Sequence, residues 1–466
     1  MQEAAARPEP IAEAVAPVSN LEIDRVTPYL AFLFLLLSTA TLFDGFDSAM
    51  ISFASPDVKA SFGISDAQWG GLVTLTRLGV LASFVFVFFA DRIGRRWIVM
   101  GTIVGFTLAN FATSFVTSRT QFVLCQFVAR LFLTAELSIA VIMVGEEFPA
   151  RLRGRAIAIL TSLATAGVML ISILQPAVLL PAGAPGNALH DLGQWMVGGV
   201  QSALGLSSDG ANWRSLYALG LLPLAAILLL RLGMRETRRF EAARALNADK
   251  PKASWGELWR DATVPWRARY RRRTATVALL WNCVYLVTGP STVFYVIYAR
   301  GALHLTPAQV GSIVFVGYAG GVAGNFLGGW LIDRIGRKYT CAAAYTLGAI
   351  SIYQLFHGAS IPEQYLWMVL TVFSFAGGYS ATHAYAHELF PTEIRATGYG
   401  WTTNLAGRLT EVFGPWVIGA LIPQLGIPGA IAVVAIGPIL GALLVLRYAP
   451  ETRGLTLEQI QQQLGA

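Results

Sequence analysis

The stretch Ala90-Asp91-Arg92-Ile93-Gly94-Arg95-Arg96 occurs a second time, in nearly the same form, as Ile332-Asp333-Arg334-Ile335-Gly336-Arg337-Lys338. The two copies are 242 residues apart. A second motif, which contains Glu146 and Arg153, repeats at the same distance as Glu388 and Arg395. One offset shared by two separate motifs indicates that the chain consists of two related halves in tandem.

The composition places the chain in a membrane. Of its 466 residues, 55% are hydrophobic and only 13% are charged, which is too apolar for a soluble domain. The net charge of +7 does not indicate nucleic-acid binding, because the basic residues lie in short loops between apolar runs. Cys125, Cys283 and Cys341 show no metal-binding or disulfide spacing, so we expect free thiols and neither a metal nor a cofactor.

Apolar runs of about 20 residues define the spans. We predict an all-α membrane protein with about twelve transmembrane helices in two six-helix bundles, related by a pseudo-two-fold axis around a central cavity. The predicted domains are a tail (1–27), a first bundle (28–232), a charged linker (233–272), a second bundle (273–448) and a second tail (449–466). The predicted spans are 28–51, 67–90, 97–116, 120–145, 155–180, 212–232, 273–298, 307–332, 339–358, 363–386, 396–421 and 427–448.

The distribution of Lys and Arg predicts the orientation. With a cytosolic N-terminus, 27 basic residues fall on the cytosolic side and 4 on the outer side, so both termini are predicted to be cytosolic. The predicted location is the inner (plasma) membrane of the cell. No basic region precedes the first apolar run, which argues against a cleaved signal peptide. In the outer connection 181–211, apolar residues recur at helical spacing, which predicts a short amphipathic helix on the outer membrane surface.

The repeated motifs resemble those of the major facilitator superfamily over essentially the whole chain. The two loop copies resemble its signature loops. The segments 146–154, 388–398 and 450–454 resemble the sugar-porter branch and its organic-ion relatives, and Asp44-Gly45-Phe46-Asp47 resembles the aromatic acid:proton symporters. The resemblance implies a transporter that works by alternating access.

The repeated charges at the predicted cytosolic helix ends are expected to form a gate. Ion pairs among them would hold the two halves together while the cytosolic side is closed. The alternative is that these charges only set the membrane topology, although the positive-inside rule depends on Lys and Arg and does not require acids. The predicted gate residues are Asp91, Arg92, Arg95, Glu146, Arg153, Asp333, Arg334, Arg337, Glu388 and Arg395.

A second set of charges lies inside the spans and is not repeated. An acid at mid-membrane costs about 2.5–3.5 kcal/mol if it faces lipid, so such residues are usually functional. Desolvation favours the protonated form of a carboxyl, and we therefore predict proton coupling at Asp44, Asp47 and Glu136. The alternative is that Asp44 or Asp47 pairs with Arg77 or Arg130 to fix helix packing.

The predicted substrate-binding residues combine intramembrane charges with polar and aromatic side chains. Arg408 and Glu411 stand three residues apart and could neutralise each other, in which case an anionic substrate would displace Glu411 or use another arginine. His383 and His387 suggest either a proton relay or helix packing. The predicted set is Arg77, Arg130, Trp281, Asn282, Tyr285, Asn404, Arg408 and Glu411.

These observations predict a secondary active transporter, with proton-coupled symport of a small organic anion, aromatic or a related carboxylate, as the preferred mechanism. The alternatives are transport of an organic cation or a neutral sugar or polyol, an efflux antiporter, and a sensor that binds without transport. The sequence contains no arrangement of a nucleophile and a general base, so it does not predict an enzyme. The expected partners are a small-molecule substrate, protons and the lipid bilayer, with no nucleic acid, and we expect a monomer.

Overall fold

The structure is a computed structural model that describes residues 26–86, 94–180, 185–206, 210–231, 233–237, 262–391, 394–455 and 457–463, together with 241, 256 and 260. The predicted N-terminal tail and most of the predicted linker therefore lie outside the described residues. Within the described part, the chain is helical and contains no strand, as the sequence predicts.

Eight helices form the described first half. Their order and bounds are α1 (Pro28–Phe62), α2 (Asp66–Ala82), α3 (Arg95–Thr113), α4 (Arg119–Glu147), α5 (Ala150–Val178), α6 (Ala188–Leu204), α7 (Asn212–Leu219) and α8 (Leu221–Arg231). The predicted sixth span consists of α7 and α8, which are separated at Gly220.

The second half follows a 3₁₀ turn at Val264–Trp266. Its helices are α9 (Arg271–Val293), α10 (Tyr295–Gly301), α11 (Pro307–Ile335), α12 (Arg337–Leu355), α13 (Ile361–Glu388), α14 (Arg395–Tyr399), α15 (Leu409–Val434), α16 (Ile436–Tyr448) and α17 (Leu457–Gln463). A π-helical segment (Gly400–Leu405) and a 3₁₀ turn (Ala406–Arg408) separate α14 from α15.

Six described helical segments are, by length and composition, able to cross a membrane. They are Pro28–Phe62, Asp66–Phe86, Arg119–Val144, Arg271–Gly301, Pro307–Ile335 and Thr397–Tyr448. The last supplies two predicted spans, because Gly426 (φ 66°, ψ 176°) interrupts it. The other predicted spans correspond to α3, α5, α7 with α8, α12 and α13.

The repeated loop motif has a local structural reason in each half. Gly94 and Gly336, which precede α3 and α12, have φ of 108° and 95°, a region that favours glycine. Neither helix start has a side-chain cap from its own N-cap residue. Instead, a glutamate from later in the chain accepts from the first backbone N–H groups: Glu236 for α3, at 3.0 and 3.2 Å, and Glu451 for α12, both at 3.1 Å.

The two halves pack directly against each other along α2 and α15. A Cβ added to Gly70 would lie 3.0 Å from the Cα of Gly419, so the absence of side chains at these positions permits the close approach. Trp416 N–H also donates to the Thr74 hydroxyl at 3.1 Å. A second contact joins α5 and α11, where Gly311 lies against the Ser172 carbonyl.

Two details of the spans are known only from the structure. The seventh span continues as a helix through Gly289-Pro290 and ends at Val293. Arg231 lies at the end of the predicted sixth span and was counted with the cytosolic basic residues, but it ends α8 and its side chain is fully buried. Its adjacency to the charged linker concealed this position in the sequence.

The outer connection contains the predicted helix, α6. Asn187 caps its first turn, and the helix continues past Gly198-Gly199 to Leu204, where Gly205, with φ 64°, is the C-cap. Gly193, Val197 and Gln201 face the protein, whereas Trp195 is 73% exposed. Trp195 and the 39% exposed Leu192 therefore form an apolar outward face, as the spacing predicted.

Candidate functional site

Asp44 and Asp47 are buried inside the first half, where α1 contacts α5. A Cβ added to Gly45 would collide with the Ala164 carbonyl, so only glycine permits the two backbones to meet there. Gly167 of α5 is similarly close to the Leu42 carbonyl. This contact directs the two acids into the protein and away from lipid, although both lie within the first half rather than in a gap between the halves.

Asp47 belongs to a polar network that crosses three helices. Its Oδ1 accepts from Asn110 Nδ2 at 2.9 Å, and Asn110 Oδ1 accepts from Gln126 Nε2 at 3.3 Å. Gln126 also donates to the Thr113 hydroxyl at 3.0 Å. The second oxygen, Asp47 Oδ2, is buried without a hydrogen-bond partner among the described residues.

Asp44 lies beside a different cluster, formed by Glu136 of α4 and Arg231 of α8. Glu136 and Arg231 form a fully buried ion pair, and Thr102 donates to Glu136 at 3.0 Å while Arg231 donates to the Val99 carbonyl at 3.0 Å. These two charges are the strongest electrostatic neighbours of Asp44. Arg231 was not among the intramembrane charges that the sequence predicted, so the partner of Glu136 is known only from the structure.

Arg77 and Arg130 have no carboxylate hydrogen-bonded to them among the described residues. Arg130 of α4 donates from Nη2 to the Ser48 carbonyl at 2.8 Å, next to Asp47 on α1. Arg77 of α2 donates from Nη1 to the Glu411 main-chain carbonyl at 2.8 Å, across the boundary between the halves. Neither forms the direct pair with Asp44 or Asp47 that the packing alternative required.

Arg408 and Glu411 are paired, as the alternative interpretation of their spacing proposed. Arg408 Nη1 donates to Glu411 Oε2 at 3.1 Å and its Nε donates to the Thr403 carbonyl at 3.2 Å. The Glu411 carboxylate is also the charged group with the strongest electrostatic effect on both Arg77 and Arg130. Glu411 therefore pairs with Arg408 through its carboxylate and accepts from Arg77 through its main-chain carbonyl, so side chains from both halves meet at this residue.

Asn282 holds the interrupted helix before α15 in place. Its Nδ2 donates to the Ala406 and Ala278 carbonyls, both at 2.8 Å, and its Oδ1 accepts from the Thr410 N–H and hydroxyl, both at 2.7 Å. These contacts use the hydrogen-bonding capacity of the amide, so its predicted direct role in substrate binding is not supported by this geometry. Asn404 lies half-buried in the π-helical segment itself.

Aromatic rings from α9 and α13 pack beside Arg408. Trp281 is stacked on Tyr285 with centroids 5.8 Å apart, and Tyr379 and His383 meet its ring at 4.8 and 4.6 Å. The Arg408 guanidinium lies 5.8 Å from the centre of the Tyr285 ring. The Trp281 side chain is completely buried, and the Tyr285 ring is a neighbour of both Trp281 and Arg408. His383 Nδ1 lies 2.9 Å from the Tyr399 hydroxyl, with Tyr399 half-buried.

The predicted cytosolic gate is partly described. Asp91 and Arg92 lie outside the described residues, as do the side chains of Glu146, Arg153 and Arg395. The described contacts of Arg337 lie within the second half: it donates from Nη2 to Glu388 at 2.8 Å and lies 3.8 Å from the exposed Asp333. Thr452 also donates to Glu388, at 2.5 Å. These contacts brace the second half, and the latch between the halves stays a prediction.

The remaining described gate residues have separate positions. Arg95 begins α3, where its backbone N–H meets Glu236, and its own side chain is buried. The Arg334 guanidinium lies 5.1 Å from the centre of the Trp330 ring, one turn earlier on α11.

The halves meet through an ion pair at the predicted outer face. Arg300, in α10, donates to Asp57, in α1, at 2.8 Å. Gln175 of α5 donates to the Pro307 carbonyl, at the start of α11, at 2.7 Å. Two separate polar contacts therefore join the halves at this face.

A cavity of about 310 Å³ lies between α2 and α4, near the predicted outer face. Ile64, Leu72, Val123 and Arg119 are among its lining residues, and none of the predicted substrate-binding residues lines it. Its lining is mostly apolar, so we place the functional site at the charged cluster, where chemistry-bearing side chains from both halves converge.

Three residues with evident roles were missed in the sequence. Arg231 was hidden by the charged linker beside it. Asn110 is a single polar residue in an apolar span, whose partner on α1 only the fold reveals. Glu236 had a readable signal, because Glu236-Thr237-Arg238 repeats Glu451-Thr452-Arg453.

Comparisons with known proteins agree with this architecture. The gallate transporter of Pseudomonas putida is 27% identical over 452 residues, covering 90% of this chain and 92% of that protein. The putative niacin/nicotinamide transporter NiaP of Bacillus subtilis (strain 168) is 26% identical over 429 residues, covering 90% and 95%. The inward open structure of the xylose transporter XylE from E. coli shares the fold, with a TM-score of 0.71 at 17% identity over 92% of this chain and 98% of that one.

The family model of the Major Facilitator Superfamily matches residues 37–301 and 283–464, which together cover most of the chain. The helical fold, the repeated halves and the relatives all agree with this match. The protein is a membrane transporter that belongs to the Major Facilitator Superfamily.

Proposed function

We propose that the protein is a proton-coupled symporter of a small organic anion, an aromatic or related carboxylate. The observation that supports the proposal is the set of Arg77, Arg130 and Arg408, contributed by both halves: Arg408 pairs with the Glu411 carboxylate, Arg77 donates to the Glu411 main-chain carbonyl, and Arg130 donates to the Ser48 carbonyl. Guanidinium groups remain charged in proteins and bind carboxylates with matching geometry. A buried excess of positive charge between two moving halves is suited to an anionic substrate.

Asp44 and Asp47 are the proposed protonation sites. Both are buried, both have an oxygen without a described partner, and neither forms a described ion pair. Burial without a counter-charge favours the neutral acid, and a nearby change of charge alters that balance. Asp47 lies next to the Arg130 region, so a bound anion can affect its proton directly. Asp44 lies beside the Glu136 and Arg231 pair, which we propose as its electrostatic partner.

The relatives support the choice of substrate class. Two of them are named for gallate and for niacin or nicotinamide, and both gallate and niacin are aromatic carboxylates. In this chain, Tyr285 lies between the charged cluster and Trp281, which places a ring face beside Arg408. We propose that the carboxylate of the substrate meets the arginines while its ring packs towards Tyr285.

The transport cycle we propose is alternating access between bundles 28–232 and 273–448. The Asp57–Arg300 pair would close the outer side in one state and separate in the other. We propose further that the protein is a monomer in the inner membrane with both termini in the cytosol, as the distribution of basic residues predicts.

Uptake into proteoliposomes tests the proposal. Purified protein is reconstituted, and an acid-outside gradient is imposed with radiolabelled benzoate, 4-hydroxybenzoate, nicotinate, a hexose and a quaternary amine. We expect accumulation of at least one carboxylate, abolished by a protonophore. Asp47→Asn should retain carboxylate exchange between the two sides but lose gradient-driven accumulation. Accumulation of the amine or the hexose alone would refute the anion proposal.

The matched control for the aspartate variant is Asn110→Asp, which introduces an acid at the Asp47 contact without altering Asp47 itself. We expect it to shift the pH at which uptake is half-maximal while retaining accumulation. Full gradient-driven uptake by Asp47→Asn and Asp44→Asn together would exclude both acids from proton coupling.

A further inference from the structure

The charge balance of the central cluster is uneven. Arg77, Arg130 and Arg408 are all at least half-buried and permanently charged, and the Glu411 carboxylate is the charged group that acts most strongly on Arg77 and Arg130. Asp47 also acts on Arg130, more weakly. Among the described residues, the Glu411 carboxylate is the one carboxylate that is hydrogen-bonded to any of these three arginines.

Glu411 is attached to this cluster in two different ways. Its main chain is fixed, because its carbonyl accepts from Arg77 and the preceding residue Thr410 is bound by Asn282. Its side chain is 20% exposed and has one described hydrogen bond, to Arg408 at 3.1 Å. The carboxylate can therefore leave Arg408 without disturbing the helix that carries it.

The backbone before Glu411 is irregular and is fixed on both sides. The segment from Gly400 to Arg408 changes from a π-helix to a 3₁₀ turn, and irregular helix segments of this kind are frequently functional. The close contact of Gly407 with Trp281 and the Thr402 carbonyl fixes the turn on the other side. A fixed turn thus precedes a carboxylate that is partly exposed and has one described hydrogen bond.

We propose that Glu411 is a tethered counter-anion, which occupies the position of the substrate carboxylate while the site is empty and is displaced when substrate binds. This inference rests on the proposed function, since it requires an anionic substrate. The tether neutralises part of the buried positive charge during the return of the empty carrier. A ligand must compete with it, so a weakly bound inorganic anion is excluded while a carboxylate with a packed ring is retained.

The first experiment measures binding to purified protein by calorimetry. The probes are benzoate, 4-hydroxybenzoate, gallate and nicotinate, with 4-hydroxybenzamide as the uncharged counterpart. For a carboxylate that binds the native protein, we expect Glu411→Gln to bind at least tenfold more tightly, Glu411→Asp to bind within threefold of native, and the amide to gain nothing. Equal or weaker binding by Glu411→Gln overturns the inference and leaves the proposed function intact.

If none of the carboxylates binds either the native protein or Glu411→Gln, the proposed function itself is refuted and the inference with it. The variant must be monodisperse after purification, and Glu411→Asp, which keeps the charge, provides the second folded reference.

The second experiment does not depend on the identity of the substrate. Glu411→Ala removes the tethered carboxylate and leaves space for a free one, so 50 mM acetate should raise its thermal midpoint more than that of the native protein. The matched control is Glu363→Ala, at the exposed start of α13, where the described partners of the carboxylate are the Ala359 and Ser360 N–H groups. Equal responses of the two variants to acetate would contradict the tethered-anion role.

Discussion

The buried pair of Glu136 and Arg231 predicts a measurable coupling to Asp44. Removing one partner of a buried ion pair costs about 3–5 kcal/mol, because the other charge is left uncompensated. Glu136→Gln should cost less, about 1–3 kcal/mol, since Gln keeps the hydrogen-bonding shape and Asp44 offers a second carboxylate to Arg231. The double variant Asp44→Asn with Glu136→Gln removes both acids and should cost the full amount.

The single variant Asp44→Asn is expected to change stability by less than about 1 kcal/mol, because Asp44 makes no described hydrogen bond that the substitution would break. A double-mutant cycle should therefore give a coupling energy of about 1–3 kcal/mol between the two positions. The measurement is reversible unfolding in mixed micelles by titration with sodium dodecyl sulfate, followed by tryptophan fluorescence.

Additive effects of the two substitutions would refute this reasoning, because they would show that Asp44 cannot compensate Arg231. The control pair is Asp47→Asn with Glu136→Gln: Asp47 is bonded to Asn110 instead, and Glu136 is not among its described electrostatic neighbours. We expect the coupling energy between these two substitutions to be smaller than about 0.5 kcal/mol.

Three further predictions concern closure and packing. Cysteines at positions 57 and 300, which replace the outer ion pair, should inhibit uptake when bridged by a short bifunctional crosslinker and recover after its cleavage; uptake that survives crosslinking would show that the halves need not separate there. Gly45→Val should prevent folding, because its side chain would collide with the Ala164 carbonyl, whereas Gly101→Ala, with open space around it, should express normally. Glu451→Gln should lower stability by about 0.5–2 kcal/mol through the weakened cap of α12, and an unchanged unfolding midpoint would argue against capping.

Much of the fold could be predicted because it follows from composition and repetition. Runs of apolar residues place the helices, and the repeated motifs at 90–96 and 332–338 relate the halves. The burial of Asp44 and Asp47 could also be predicted, since acids in an apolar span avoid lipid. These inferences need only local sequence and the properties of the bilayer.

The pairing of the buried charges could not be predicted, because it depends on which helices meet. The partner of Glu136 is 95 residues away, and the hydrogen-bond partner of Asp47 is 63 residues away. The interruption at Gly400–Arg408 contains no proline, and its glycines, Gly400 and Gly407, do not by themselves predict a π-helical segment. This interruption is held by Asn282. The sequence predicts that the Asn282 amide binds substrate, but in the structure the amide forms four hydrogen bonds within the protein.

The glutamates that cap α3 and α12 have a consequence for handling the protein. Glu236 follows the last span of the first half and Glu451 follows the last span of the second. In each half, the segment after the last span therefore caps a helix of the same half. An affinity tag fused after Gly454 leaves both glutamate caps intact. A truncation at Tyr448 would remove Glu451 and with it the cap of α12, whereas the Glu236 cap of α3 would remain. Limited proteolysis should then cut the second half near position 336 and leave the first half uncut.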